Sequence, residues 1–254
     1  MKTLPTVIAL LAAILCAGSC RADDVRDRHG CIVRHNVGQR CIYPVFSADS
    51  LFEGGDYALD ALAAAGVKGS FFFTGKFLRD TTMRRVIARA VDEGHYVGGH
   101  SDMHLLLCDW DARRTPLVTM DSLRLDLHRN LRELAAHGVD TTGVRWFLPP
   151  YEWADSACVD AYTRQGMTVV NITPGIRIYS DYLTPAERGY SSSAELLAQM
   201  WEFDSRAADG HGLDGAILIM HLGTEPARTD KLYYHLPEVL AELRRRGYTV
   251  CRLE

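Results

Sequence analysis

His100 and His104 stand four residues apart in "GGHSDMHLL", with the carboxylate of Asp102 between them and a glycine pair in front. At that spacing two imidazoles share one face of a helical turn and can reach a single divalent ion. Two ligands do not complete a site. The chain holds ten histidines in all, so surface or loop-capping roles compete with the metal reading until a third donor is found. Other apolar runs end in polar residues of the right kind. "VFSAD" ends at Asp49, "FLPPYEW" carries Tyr151, Glu152 and Trp153, and "LIMH" ends at His221. Asp49 supplies the missing donor, and two histidines with one carboxylate leave coordination positions open for water, the donor set of a hydrolytic metal site.

The elements that must position these groups follow from periodicity and punctuation. "GGDYALDALAAAGVKGSFFF" reads as a helix, a Gly66 stop and a strand ending at Thr74-Gly75. "TTMRRVIARAVDEGHYVGGH" repeats the scheme around Gly94. Leu123, Leu127, Leu131 and Leu134 recur at helical spacing before Gly138 and "GVRWFLPP". Three further helix-then-strand units close the chain, the last being "LPEVLAELRRRG" and "YTVCRL". This alternation predicts an α/β fold with a mainly parallel sheet or barrel, whose carboxyl edge is where ligand sites assemble. Near the start, "CIVRH" and "RCIYPVFSAD" read as a hairpin about Asn36–Gln39.

A chain of 254 residues, 47% hydrophobic and 24% charged, suits one large globular domain. Its net charge of −4 and the lack of a basic stripe with interleaved aromatics argue against nucleic acid as a partner. Residues 1–22 read as an export signal: Lys2, then the apolar run "LPTVIALLAAILCAG", too short to span a bilayer, then small residues. No transmembrane span is expected after its removal, and the destination is the periplasm, the cell envelope or the exterior. Cys20 follows a weak lipobox and is a candidate lipid anchor. Export permits disulfides. The expected hairpin would allow a Cys31–Cys41 bridge, and five cysteines beyond the signal leave at least one free or paired in trans. The parse is a signal over 1–22, an N-terminal segment and first hairpin strand over 23–39, and a catalytic domain over 40–254.

These motifs, in this order, resemble those of the NodB-like polysaccharide deacetylases, carbohydrate esterase family 4. "VFSAD" stands where the family's first strand ends in Thr-Phe-Asp-Asp, and "GSFFFTG" where it has its Phe-rich strand. "GHYVGGHSDMH" matches its paired-histidine motif, "LPPY" its Arg-x-Pro-Tyr motif, and "LIMH" its late histidine. The resemblance covers the chain from about Arg40 onward. It implies a distorted (β/α) barrel, an acetylated polysaccharide or oligosaccharide as substrate, and removal of N-acetyl or O-acetyl groups by metal-activated water. Asp49, His100 and His104 would hold the divalent ion, with zinc the expected metal.

Two departures mark a divergent branch. Ala48 aligns with the family's general-base aspartate, and Leu148 with the arginine that supports it. Proton transfer must then be relocated or lost. His221 is the expected general acid, with a backbone N–H near Tyr151 on the oxyanion. Glu152 is the first choice of base, Asp181 in "IYSDY" the second, and Asp102 the third. Tyr151, Trp153, Tyr182 and Arg177 are expected substrate contacts, although Arg177 and Asp181 would also suit an ion pair holding a loop. The alternatives are a carbohydrate-binding pseudoenzyme that keeps the metal site, or a metallohydrolase acting on another amide or ester.

Overall fold

The computed structural model describes residues 23–206 and 210–254. The expected export signal and Cys20 lie outside the described residues. Five parallel strands form consecutive neighbours in the order β7 (Thr168–Val169), β6 (Trp146–Phe147), β5 (Tyr96–Gly99), β4 (Ser70–Phe73) and β3 (Cys41–Ala48). β8 (Ile217–His221) adds on the far side of β3, and β9 (Thr249–Val250) pairs with the start of β3. The sheet curls into a half-barrel, as the helix–strand alternation predicts.

Helices α1 (Gly55–Ala65), α3 (Arg84–Asp92), α4 (Met120–Ala136), α5 (Ser156–Arg164), α6 (Ser193–Arg206) and α7 (Leu236–Arg245) connect the strands. Each buries an apolar stripe. In α7 it is Leu236, Val239, Leu240 and Leu243, packed on α1 through Leu59 and Leu62 in one continuous core. A short helix the sequence did not announce, α2 (Gly75–Arg79), follows β4, capped by the Thr74 hydroxyl accepting from the Phe77 N–H.

The N-terminal region departs from the expected hairpin. The turn forms at Asn36–Gln39, but β2 (Ile32–Val37) takes its ladder partner from β1 (Asp23–Arg26), antiparallel. β2 also bridges β7 through Ile32 and Val170, and β8's approach through Arg34 and Ala216. The Thr173 hydroxyl completes that seam, donating to the Val33 carbonyl and accepting from the Ile217 N–H. β2 therefore spans the opening between the first and last strands of the half-barrel. Burial decides this outcome: Ile32 and Val33 are both buried, and in that position Ile32 joins the barrel core with Val45, Phe72 and Ile217. Cys31 goes with them into the interior, so the Cys31–Cys41 bridge is not formed. Cys41 faces Cys251 instead.

Strand register sets the level of the site. Ala48 pairs with Phe73, Phe73 with Gly99, Gly99 with Phe147, and Ser47 with His221. The carboxyl ends of five strands thus lie side by side, and Asp49, His100, Leu148 and His221 emerge along one rim.

Candidate active site

A cavity of about 450 Å3 opens at that rim, lined by Asp49, His100, His104, Tyr151, Glu152, Tyr182 and His221 among others. Seven of the eleven residues expected to act in the site therefore meet there. Trp153 and Arg177 do not line it, and Asp181 lies just behind it, against His221.

On one flank, His100 follows β5 directly. Its Nδ1–H donates to the Leu148 carbonyl at 2.8 Å, which leaves Nε2 with its lone pair toward the cavity. His104 brings its own Nε2 to 3.3 Å from that atom. Burial holds the pKa of His100 well below the imidazole range. His104 is held at about 4, by burial and by the Lys76 ammonium against the pull of Asp49. Both rings are neutral at physiological pH, the form that binds metal.

The segment between them is a bend rather than the helical turn that spacing suggested. Ser101 and His104 both have left-handed φ, +72° and +55°, and it is this reversal that turns the rings toward each other. Asp126, buried on α4, fastens the bend: its two carboxylate oxygens accept the N–H groups of Asp102 and Met103 at 2.9 and 3.0 Å. Asp102 itself points away from the cavity to Arg79, at 2.5 Å, which removes it as a base. Its Oδ1 packs so closely on Gly75 that a Cβ there would fall 1.8 Å from it, which accounts for the last glycine of "GSFFFTG". Asp126 escaped the sequence reading, yet its signal is visible: a carboxylate inside the buried stripe Leu123–Leu127–Leu134 needs a partner.

Asp49 completes this flank. Its Oδ2 accepts from Lys76 Nζ at 2.8 Å, while its buried Oδ1 has no hydrogen-bond partner. No three His, Cys, Asp or Glu groups among the described residues form a ready-made metal cluster, so the expected triad does not converge as it stands. The chemistry of the donors nevertheless fits a divalent ion. Two neutral imidazole Nε2 atoms meet at 3.3 Å, where the His100 lone pair accepts from His104 and either ring can turn its lone pair to an ion, and an orphaned carboxylate oxygen lines the same cavity.

The opposite flank is built around a hydrogen-bonded His221–Asp181 pair. His221 ends β8, and Asp181 is committed to it through both oxygens: Oδ1 lies 2.7 Å from the ring Nδ1 and Oδ2 accepts the His221 N–H at 2.9 Å. Burial opposes the charged imidazole, but Asp181, with Glu152 adding to it, outweighs that and raises its pKa. Asp181 therefore has no oxygen left to serve as base, and it makes no ion pair with Arg177, which donates to the Gly189 carbonyl instead.

Glu152 sits in a tight turn after β6. Tyr151 and Glu152 have successive left-handed φ values of +60° and +51°, each strained for a side chain with a Cβ. Asn171 holds the turn by donating to the Glu152 carbonyl at 2.9 Å. Burial raises the Glu152 carboxyl to about 7, with His221 pulling it down and Asp181 pushing it up.

Aromatic rings wall the cavity. Tyr151 packs on His104 at 4.4 Å between centroids, and Tyr182 on His221 at 5.1 Å. Trp110, 54% exposed and absent from the expected contacts, lines the opening edge-on to Tyr151. Trp153 braces it from behind, with its indole N–H on the Asp109 carbonyl and the Arg113 guanidinium 3.4 Å from its ring centre.

The half-barrel beneath this rim matches what comparison with known proteins finds. The family model of polysaccharide deacetylases matches residues 36–170, and the chain belongs to that family. It is 25% identical over 173 residues to a chitin deacetylase from Pestalotiopsis sp, a stretch covering 65% of this chain and 54% of that protein. It is 39% identical over 71 residues to the peptidoglycan-N-acetylmuramic acid deacetylase PdaA of Bacillus subtilis strain 168, covering 27% of this chain and 26% of PdaA. The chain thus spans about half the length of the first of these relatives and about a quarter of the second. Among solved structures, PdaA, a family 4 carbohydrate esterase, superposes with a TM-score of 0.63 at 22% identity, over 88% of this chain and 83% of that one. A family 4 pseudoenzyme from Bacillus anthracis does so at 0.63 and 20% identity, over 87% and 66%. These likenesses establish the fold as the distorted barrel of that family. No helix among the described residues is long and apolar enough to cross a membrane.

Proposed function

We propose that this chain is an exported, metal-dependent carbohydrate deacetylase whose general base has moved from the position of Ala48 to Glu152. The observation that carries this reading is the pairing of two tuned groups in one cavity: a carboxyl raised to about 7 beside a histidine raised by its own aspartate. The substrate would be an acetylated polysaccharide or oligosaccharide, with sugar faces packed on Trp110, Tyr151 and Tyr182.

A divalent ion, zinc by its donors, would be held by Asp49, His100 and His104 and would supply a Lewis acid for the acetyl carbonyl. In the proposed reaction Glu152 takes a proton from the attacking water as its oxygen bonds to the acetyl carbon. The Tyr151 N–H is the proposed oxyanion donor, since the next two amides, Glu152 and Trp153, already donate to the Pro149 and Pro150 carbonyls. His221, held in place by Asp181, then gives its proton to the departing nitrogen or oxygen, the bond to the acetyl carbon breaks, and acetate is released.

The test is acetate release from acetylated chitooligosaccharide and acetylated xylan by protein stripped of metal and then reloaded with zinc. Release that requires zinc and vanishes in Asp49→Ala supports the reading, and the better substrate identifies the bond. Ala48 and Leu148 favour one other reading, a carbohydrate-binding protein without turnover. Glycan binding with no acetate release from the zinc-loaded protein would select it.

A further inference from the structure

The end of the barrel opposite the cavity carries a pair of cysteines that the proposed reaction does not use. Cys41 opens β3 and Cys251 follows β9, and their Sγ atoms lie 2.8 Å apart. The surrounding backbone holds them there. Cys41 pairs with Thr249 and Ile42 with Val250, and the Cys251 N–H donates to the Ile42 carbonyl at 2.8 Å. Cys31, Cys108 and Cys158 are buried elsewhere.

We propose that Cys41 and Cys251 are joined by a disulfide in the mature protein, a staple that fastens the C-terminal segment under the barrel. What it fastens is structural. Leu253 is fully buried and its N–H donates to the Ser70 hydroxyl at the start of β4. The Glu254 carbonyl accepts from the indole N–H of Trp146 at the start of β6, and Arg252 donates to the Gly94 carbonyl. The last six residues thus tie together the amino ends of three strands, β3, β4 and β6, at the face where a barrel keeps stability rather than chemistry. A cross-link between positions 41 and 251 closes nearly the whole domain into one loop and restricts the unfolded chain accordingly.

The oxidant is a small or protein disulfide of the kind present outside the cytoplasm. One cysteine, as thiolate, attacks it and releases one thiol, leaving a mixed disulfide. The second attacks the protein-bound sulfur and expels the other thiol. One S–S bond forms in the protein while the oxidant's S–S bond is reduced, taking up two electrons and two protons. Burial pushes the Cys251 thiol up to about 12, with Cys41 beside it adding to the shift, so exchange is slow in the folded dithiol and fast while the chain is folding.

The experiment uses the full chain, refolded in a mixture of glutathione and glutathione disulfide. It is then denatured, alkylated and digested without reductant. The expected product is one linked peptide pair joining Cys41 to Cys251, two hydrogens lighter than the sum of its parts, with Cys31, Cys108 and Cys158 alkylated. Alkylation at both Cys41 and Cys251, or a link from either to another cysteine, overturns the proposal. The thermal midpoint supplies a second readout. Reductant should lower it on the order of 5–10 °C in the wild type and leave the Cys41→Ser/Cys251→Ser double variant unmoved. An equal response in both proteins contradicts the staple. The turnover number for acetate release at 25 °C should be the same in oxidised and reduced protein, and a change in it on reduction contradicts a purely structural role.

Discussion

The two flanks of the cavity treat histidine in opposite ways. On the Asp49 flank, burial strips His100 and His104 of charge, with the Lys76 ammonium adding to it at His104, and both stay neutral donors. On the Glu152 flank, a histidine just as close to the core has its pKa raised, because Asp181 spends both oxygens on it. The residue type is the same and the strand-end position is the same. What differs is the partner: a backbone carbonyl on His100, which fixes a tautomer without adding charge, against a carboxylate on His221, which stabilises the cation. In the proposed function the first flank binds and the second moves protons.

Breaking the proton flank should have the largest effect. His221→Ala is expected to lower acetate release by about 10²–10⁴-fold while leaving zinc uptake intact, measured by steady-state turnover and by metal titration of the same preparation. Loss of zinc along with activity would show that the flanks are not separate. On the binding flank, Asp126→Ala frees the bend that carries His104. Zinc affinity should fall roughly 10–100-fold, read by competition with a chromophoric chelator, with the far-ultraviolet circular dichroism unchanged. Unchanged affinity would mean that packing alone orders the bend.

The same comparison predicts how stability responds to pH. Glu152 has a folded pKa of about 7, above its unfolded value, so the folded state holds its proton as the unfolded state loses it. Its contribution is absent at pH 4, turns unfavourable as pH rises from about 4.5, and levels off above 7. His221, raised by Asp181, stabilises below the ordinary imidazole pKa and loses that contribution as pH climbs through its folded value. Both act in one direction: urea unfolding should show less stability at pH 8 than at pH 5 from this flank. Glu152→Gln should remove roughly 2–3 kcal/mol of that difference. A variant whose pH dependence matches the wild type would place the Glu152 carboxyl in solvent.

Much of this site is legible in the sequence because strand ends are. Asp49, His100 and His221 each follow directly on or close an apolar run, and parallel register carries such residues to one rim without further information. Tyr151 and Glu152 follow two prolines after β6 and are carried there too. What stayed hidden depends on contacts between distant segments. The His100–His104 spacing predicted a helical turn, but two left-handed residues and the remote Asp126 make it a bend. Trp153 and Arg177 have the right chemistry for sugar, yet Arg113 covers one and Gly189 takes up the other. β2 alternates like a hairpin strand but is drawn into the barrel seam by its buried face, which also redirects Cys41 from Cys31 to Cys251.

In the proposed function Glu152 does the work of the base that Ala48 cannot do, and the pH–rate profile tests that most directly. Turnover of the zinc-loaded wild type should rise with pH along a limb centred near 7 and fall above the raised pKa of His221. In Glu152→Gln the rising limb should disappear and the maximum drop by about 100-fold. Wild-type turnover in that variant, with the limb intact, would contradict the relocated base.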